Sequence, residues 1–278
     1  MKLWTGLLAA GLAWALFAGT GYSLREQPRL EVQSELLRVR LPLLVQLAYS
    51  GGDPFLAANA NVFRSLMVSA SVTERETYRI QGQLQVDAAR FNPWHEDNYY
   101  VGAAILPWNG QVEAGQFVLL SAARLRDWDM WPAFYYAFNA MYFERDMARA
   151  GHWAEVAAQR HPQNAPALRS MAAAWYERGD DPRDAMGILQ AMHDQSTDEN
   201  FRALLQARMQ RLAGLSALRQ AAVAYRQQHA RPPTSLEQLL GYAGLEALPQ
   251  DPLAIGYSLD QQGQPQLADH LTRGQDSQ

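Results

Sequence analysis

Between Asn92 and Ser196 the chain repeats itself every 34 to 35 residues, and few folds accommodate such a period. Tyr99, Phe134 and Leu168 lie 35 and 34 apart, and Leu106, Met141 and Trp175 keep the same interval. Gly110, Arg145 and Gly179 mark a turn inside each unit, and Pro93, Asp127, Pro162 and Ser196 mark turns between units. In the second half of each unit, Leu119, Ala154 and Leu189 step by 35, as do Ala122, Ala157 and Met192. Two helices of about four turns each, plus two short turns, consume about 34 residues, so the period predicts a row of helical hairpins. Small residues are wanted where the two helices of a hairpin cross closely, and Ala114, Ala150, Ala157 and Ala185 stand there. Large ones are wanted where hairpins meet, at Tyr99, Phe134 and Trp175. A worn unit precedes the clear ones, with Ile80, Leu84 and Ala88 in its second helix.

The turn chemistry agrees. Asn109-Gly110 and Gly179-Asp180 suit the left-handed backbone that ends a helix, and Asp181-Pro182 reads as a cap followed by a first-turn proline. The run Trp175-Tyr176-Glu177-Arg178-Gly179-Asp180, followed by Ala185, resembles the tetratricopeptide repeat. Arg145-Asp146-Met147-Ala148-Arg149-Ala150, followed by Pro162, resembles it more loosely. Pro107 and Gly115 depart from the pattern in the first clear unit. The resemblance implies an all-α solenoid of hairpins over residues 53–196 that holds a protein or peptide partner.

The flanks differ from the repeats. Lys2 precedes Leu3–Leu24, a stretch without charge that is long enough to cross the ~30 Å hydrocarbon layer as a helix. Residues 1–24 are expected to be a transmembrane signal anchor; the competing reading is a cleaved signal peptide with small residues at Ala18-Gly19-Thr20-Gly21. Lys2 suits an anchor with its start inside, Arg25 and Arg29 pull the other way, and the bulk of the chain is expected on the periplasmic side of an inner membrane. Residues 25–52 read as a linker ending at Ser50-Gly51-Gly52, with an apolar run over Leu41–Leu47. After it, Asp53 and Pro54 open a helix over Phe55–Ala70 with Phe63, Leu66 and Met67 on one face.

Residues 197–272 carry a different pattern. Phe201, Leu204, Leu205, Met209, Leu212, Leu215, Leu218, Ala222 and Tyr225 form the stripe of one long helix ending near His229. A short helix over Ser235–Leu240 follows, then a turn at Leu248-Pro249-Gln250-Asp251-Pro252 and a strand over Ile255–Leu259. Gln262-Gly263 can close that strand as a hairpin with Gln266-Leu267. The series Ala224-Tyr225-Arg226, His229, Pro232-Pro233-Thr234-Ser235-Leu236, Leu248-Pro249-Gln250-Asp251-Pro252 and Tyr257 resembles the globular segment of type II secretion major pseudopilins. The cleavage motif and the glutamate in the apolar stretch of those filament subunits are absent, so the segment is expected to cap the array. Residues 273–278 read as a disordered tail.

Composition removes several functions. The net charge of −4, a single lysine (Lys2) and arginines spread without a patch give nothing for nucleic acid to bind. The absence of cysteine removes disulfides, thiolate metal sites and thiol nucleophiles. His95, Glu96 and Asp97 point in different directions on a helix and read as a helix-start cluster, not a metal site. His152, His161 and His193 have no partner one turn on. With no phosphate loop, dinucleotide fingerprint or nucleophile elbow, no catalytic residue, cofactor or metal is expected.

Of 29 aromatic residues, 15 fall between Phe91 and Trp153, more than one face of the hairpins can bury. Phe134-Tyr135-Tyr136 and the pair Trp128 and Trp131 cannot all point inward. Tyr99, Trp128, Trp131, Tyr135, Tyr136 and Tyr142 are therefore the expected partner-binding residues. The expected function is a membrane-tethered interaction scaffold in the assembly of a bacterial envelope machine for secretion, pili or polysaccharide export. The alternatives are a substrate-binding or accessory module of an envelope enzyme, and a cytoplasm-facing anchor for a soluble complex.

Overall fold

The structure, a computed structural model, describes residues 11, 13–17, 19, 40–67, 75–179 and 181–268. Most of the expected anchor, residues 25–39 of the expected linker and the expected tail 273–278 lie outside them. Among the described residues, no helix is long and apolar enough to cross a membrane. Residues 11, 13–17 and 19 are helical, and Trp14, Leu16 and Phe17 are exposed.

The described fold is mostly helical. Helix α1 spans Leu43–Tyr49, α2 Pro54–Met67, α3 Arg75–Phe91, α4 Glu96–Ile105 and α5 Val112–Leu125. Helix α6 spans Met130–Asn139 and continues through a π-helical turn at Ala140–Glu144; α7 spans Met147–Arg160, α8 Ala165–Glu177, α9 Pro182–Gln195 and α10 Glu199–His229. Strands β1 (Tyr257–Leu259) and β2 (Pro265–Leu267) close the described chain as an antiparallel ribbon with Tyr257 opposite Leu267.

Helices pair as α2 with α3, α4 with α5, α6 with α7, and α8 with α9, each hairpin resting on the next. Side-chain caps set most of the starts. Asp53, Asp129, Asp146, Asp181 and Asp198 each accept a backbone N–H of the first turn of α2, α6, α7, α9 and α10, and His95 Nδ1 does so for α4. Two of the predicted internal turns fall in place, with Gly110 at φ +76° and Arg145 at φ +59° ending their first helices in left-handed backbone. Gly179, expected to do the same, is not in that region, and the cap of α8, Arg178, has an ordinary negative φ. Where α7 crosses α8, Ala150, Ala154, Ala172 and Ala173 are fully buried. Gly151 is glycine because a Cβ there would stand 2.7 Å from the Tyr176 ring.

Three expectations need correction or completion. Part of the stretch read as linker is helix α1, whose apolar run follows Pro42 and packs on α2. Phe63, Leu66 and Met67 do share a face of α2, but that face is turned outward, with Phe63 64% exposed. The inward face is made of Ala57, Ala58, Asn61, Val62 and Ser65, small enough for α3 to approach closely. The short helix read over Ser235–Leu240 is a 3-10 turn over Leu236–Leu239.

The last segment is bolted to α10 by buried charge. Glu177, at the end of α8, meets Arg208 and Arg211 of α10, and Arg211 Nε donates to Asp251 Oδ2 at 2.8 Å. The same guanidinium donates to the carbonyls of Gly256 and Ala268, which frame the ribbon. Asp251 in turn accepts the amides of Leu253, Ile255 and Gly256, so the Leu-Pro-Gln-Asp-Pro turn is ordered around one carboxylate. Burial pushes the Asp251 carboxyl up, but the Gly256 and Leu253 amides and the Arg211 charge outweigh it and hold its pKa below the ordinary value.

Removing one member of a buried ion pair strands the others, so Arg211→Ala should cost about 3–5 kcal/mol in urea unfolding. An acid with a depressed folded-state pKa stabilises above the unfolded value of about 3.9 and loses that contribution as pH falls through the folded one. Asp251→Asn should therefore flatten the acid limb of a stability-versus-pH curve below about pH 4. An unchanged acid limb would remove Asp251 from the network.

Candidate functional site

Successive first helices of the array, α4 and α6, lie side by side and leave a groove of about 380 Å³ between them. Its floor is Ala103 and Ala104 of α4; its walls are Tyr100, Trp108, Phe134, Tyr135 and Phe138. The positions follow helical spacing. Tyr100, Ala104 and Trp108 fall four apart along α4 and the turn after it, and Trp131, Tyr135, Phe138 and Tyr142 run down one side of α6.

The rings form two groups, one at each end of the groove. Trp131 stacks on Tyr135 at 5.6 Å, and Tyr135 meets Tyr100 edge-on at 5.9 Å. At the other end Phe138 stacks on Tyr142 at 5.6 Å, and Trp108 closes on Tyr142 and Phe143. The π-helical turn at Ala140–Glu144 carries Tyr142 and Phe143 at this end of the groove, and such insertions are frequent at functional sites. Burial leads, and the charges of Tyr100 and Asp129 add to it, in holding the Tyr135 phenol above its ordinary pKa, so it stays protonated. The one amide at the lining is Asn139, 3% exposed, whose Nδ2 is buried without a hydrogen-bond partner.

The position of α6 is set by Asp129. This carboxylate caps α6 through the Trp131 amide, accepts the Tyr99 hydroxyl at 2.6 Å and pairs with Arg126 at 3.0 Å. Arg160 of α7 donates to the carbonyls of Ala123, Arg126 and Asp129, fastening the same turn from below. The guanidinium of Arg126 also lies 5.3 Å from the Tyr99 and Trp128 ring centres.

Of the six expected residues, Tyr135 lines the groove, and Trp131 and Tyr142 stack on lining rings from just outside it. Tyr99 (1% exposed) and Tyr136 (6%) are core and cannot touch a partner directly, because one step along a helix turns a side chain by about 100°. Trp128 is exposed, but on the α5–α6 turn beside Arg126 and outside the groove lining. Tyr100, Trp108, Phe138 and Asn139 were missed, although the four-residue spacing through Tyr100 and Trp108 carried the signal.

A second hollow, of about 340 Å³, is polar. Glu155, Gln159, Arg169, Gln195, Thr197, Asp198, Met192 and Phe201 line it, and Asp198 is engaged as the cap of α10. Burial raises the Glu155 pKa against the pull of His152 and Arg169. No cluster of three potential metal ligands occurs among the described residues. Among known proteins, no family model matches the chain, and no curated protein or solved structure matches it significantly.

The buried and exposed rings should separate by mutation. Tyr99→Phe removes a hydrogen bond to a buried carboxylate and should cost about 1.5–3 kcal/mol in a denaturant melt. Trp108→Ala, on a ring 55% exposed, should cost about 1 kcal/mol, the value of its aromatic contacts. The reverse order of costs would show that Trp108 is a structural residue and the groove a gap in the core.

Proposed function

We propose that this chain is a membrane-tethered, tetratricopeptide-like scaffold whose groove between α4 and α6 captures a protein or peptide partner. The observation that carries the reading is the lining of partly exposed rings, Tyr100, Phe134 and Tyr135 at one end and Trp108 and Phe138 at the other, around Ala103 and Ala104. Exposed aromatic rings in a shallow apolar groove are the anchors that dominate binding energies. The lining holds no carboxylate, imidazole, amine or guanidinium, which favours binding over catalysis.

The tether is supported by the uncharged stretch Leu3–Leu24, within which Trp14, Leu16 and Phe17 stand exposed on a helix. An inner-membrane site with the repeats in the periplasm, and service in an envelope assembly for secretion, pili or polysaccharide export, are supported by this stretch together with the pseudopilin-like tail. A second reading, a substrate-binding or accessory module of an envelope enzyme, draws on the polar hollow where Glu155 and Arg169 converge.

A photo-reactive phenylalanine analogue at position 135 tests the scaffold in cells. It should give a discrete cross-linked adduct that the same residue at exposed position 223 does not give. Adding Trp108→Ala should deplete the adduct while the melt of the purified chain changes little. Adducts from position 169 but none from position 135 would favour the module reading.

A further inference from the structure

Helices α1 and α2 are built inside out. On α1 the exposed positions are Leu44, Val45, Ala48 and Tyr49, while Gln46 and Ser50 are buried. On α2 the exposed positions are Phe55, Leu56, Asn59, Ala60, Phe63, Leu66 and Met67, all apolar but Asn59, while Asn61 and Ser65 are buried. A helix on a water-facing surface shows the opposite pattern. The two outward faces are joined: Tyr49 of α1 lines one hollow with Leu56 and Ala60 of α2.

The polar groups turned inward are hydrogen-bonded there. Gln46 Nε2 donates to Asp87 Oδ2 at 3.0 Å and to the Leu41 carbonyl, Asn61 Nδ2 donates to Gln46 Oε1 at 2.6 Å and to the Ala57 carbonyl, and Ser65 Oγ donates to the Val62 carbonyl. Asp87, itself fully buried on α3, is neutralised by Arg40 and Arg90. From Arg40 to Met67 the only charged residues are Arg40, Asp53 and Arg64. Asp53 caps the start of α2, and Arg64, half-buried, lines the hollow beside Tyr49, where a cation can meet lipid phosphate. Satisfying side-chain polar groups inward while presenting hydrocarbon outward is what a surrounding poor in water requires. Asn59 limits how deep that surrounding can be. Its uncharged amide sits between Phe55 and Phe63 on the outward face, one turn from each, and needs hydrogen-bond partners of the kind that lipid headgroups offer and acyl chains do not.

Fifteen residues separate Leu24 from Arg40, a tether that at full extension reaches no more than about 55 Å. We propose that the outward face of α1 and α2 lies in the surface of a lipid bilayer, so that the repeats are seated on the membrane and do not swing from it. The proposal rests on the tether in the function reading and adds a second, separate lipid contact. Helices of this kind sink about 5–10 Å into the headgroup and acyl boundary, enough to cover the rings of Phe55 and Phe63.

Because the chain has no cysteine, single cysteines report single positions. The full chain carrying Phe63→Cys, Tyr49→Cys or, as a control, Val223→Cys is labelled with a nitroxide. Each is reconstituted into vesicles of phosphatidylethanolamine and phosphatidylglycerol, and relaxation by oxygen is compared with relaxation by a water-soluble nickel chelate. The labels at 49 and 63 should show a several-fold higher oxygen-to-nickel ratio than the label at 223. Equal ratios on vesicle-bound protein would overturn the seating and leave the tether intact. Labels at 49 and 63 shielded from both reagents would also overturn it, assigning the face to a second copy or a protein partner. A full chain that fails to float with vesicles would sink tether and seating together.

Discussion

One carboxylate, Asp129, fixes the relation between the hairpins that form the groove. It begins α6, takes the hydroxyl of Tyr99 from α4 and holds Arg126 from the end of α5. Three helices are thus referenced to a single pair of oxygens. Hairpin arrays depend on contacts between neighbours, and alanine-on-alanine packing such as that between α7 and α8 sets distance better than angle. A charge with several donors is directional, so it selects one arrangement among those the apolar surface allows. The same device recurs at other joints. Asp87 gathers Arg40, Arg90 and Gln46 where α1 and α2 meet α3, and Glu177, Arg211 and Asp251 tie α8, α10 and the last turn. Buried ion pairs seldom add much net stability, because desolvation offsets the attraction. Their effect in this chain is on geometry: each of these joints has its own carboxylate.

What could be read from the sequence follows from this division. The period was legible because close crossings admit only small residues, so alanine recurs at Ala114, Ala150 and Ala185, the last two buried. The same period records the buried positions and is silent about the outward ones. It therefore drew attention to Tyr99 and left its neighbour Tyr100, which faces the groove, unmarked. Amphipathic spacing has a matching blind spot. It found that Phe63, Leu66 and Met67 share a face, but spacing does not say which way a face points. Only the hydrogen bonds of Gln46 and Asn61 do, and those join residues 15 to 41 apart. The ion pair between Arg211 and Asp251, 40 residues apart, was hidden for the same reason, although Asp251 was recognisable as a turn residue.

The groove's shape has consequences for what can bind. At about 380 Å³ it holds a few side chains and not a folded domain, so a partner must present a short protruding segment. Its rings Tyr100, Tyr135 and Phe138 are held by ring neighbours, which reduces the side-chain ordering that binding would otherwise require. The phenol hydroxyls of Tyr100 and Tyr135 add polar points to an otherwise greasy surface, and a partner must meet them to keep them hydrogen-bonded.

Stiffness connects the groove to the inside-out hairpin. Between α3 and the next hairpin there is little room for adjustment. A Cβ on Gly82 would meet Ala114 Cβ at 3.1 Å, one on Gly102 would meet Gln85 Oε1 at 2.9 Å, and Asn98 Nδ2 donates to the Gln85 carbonyl. Side chains cannot slide past one another at such separations without repacking, so α2–α3 and α4–α5 move as one piece. If α2 rests in a bilayer, the groove two helices away inherits a fixed height and tilt above the lipid. A partner held in the same membrane would then meet a groove already facing it. The gain is in effective concentration and avoided reorientation, with no added contact in the groove itself.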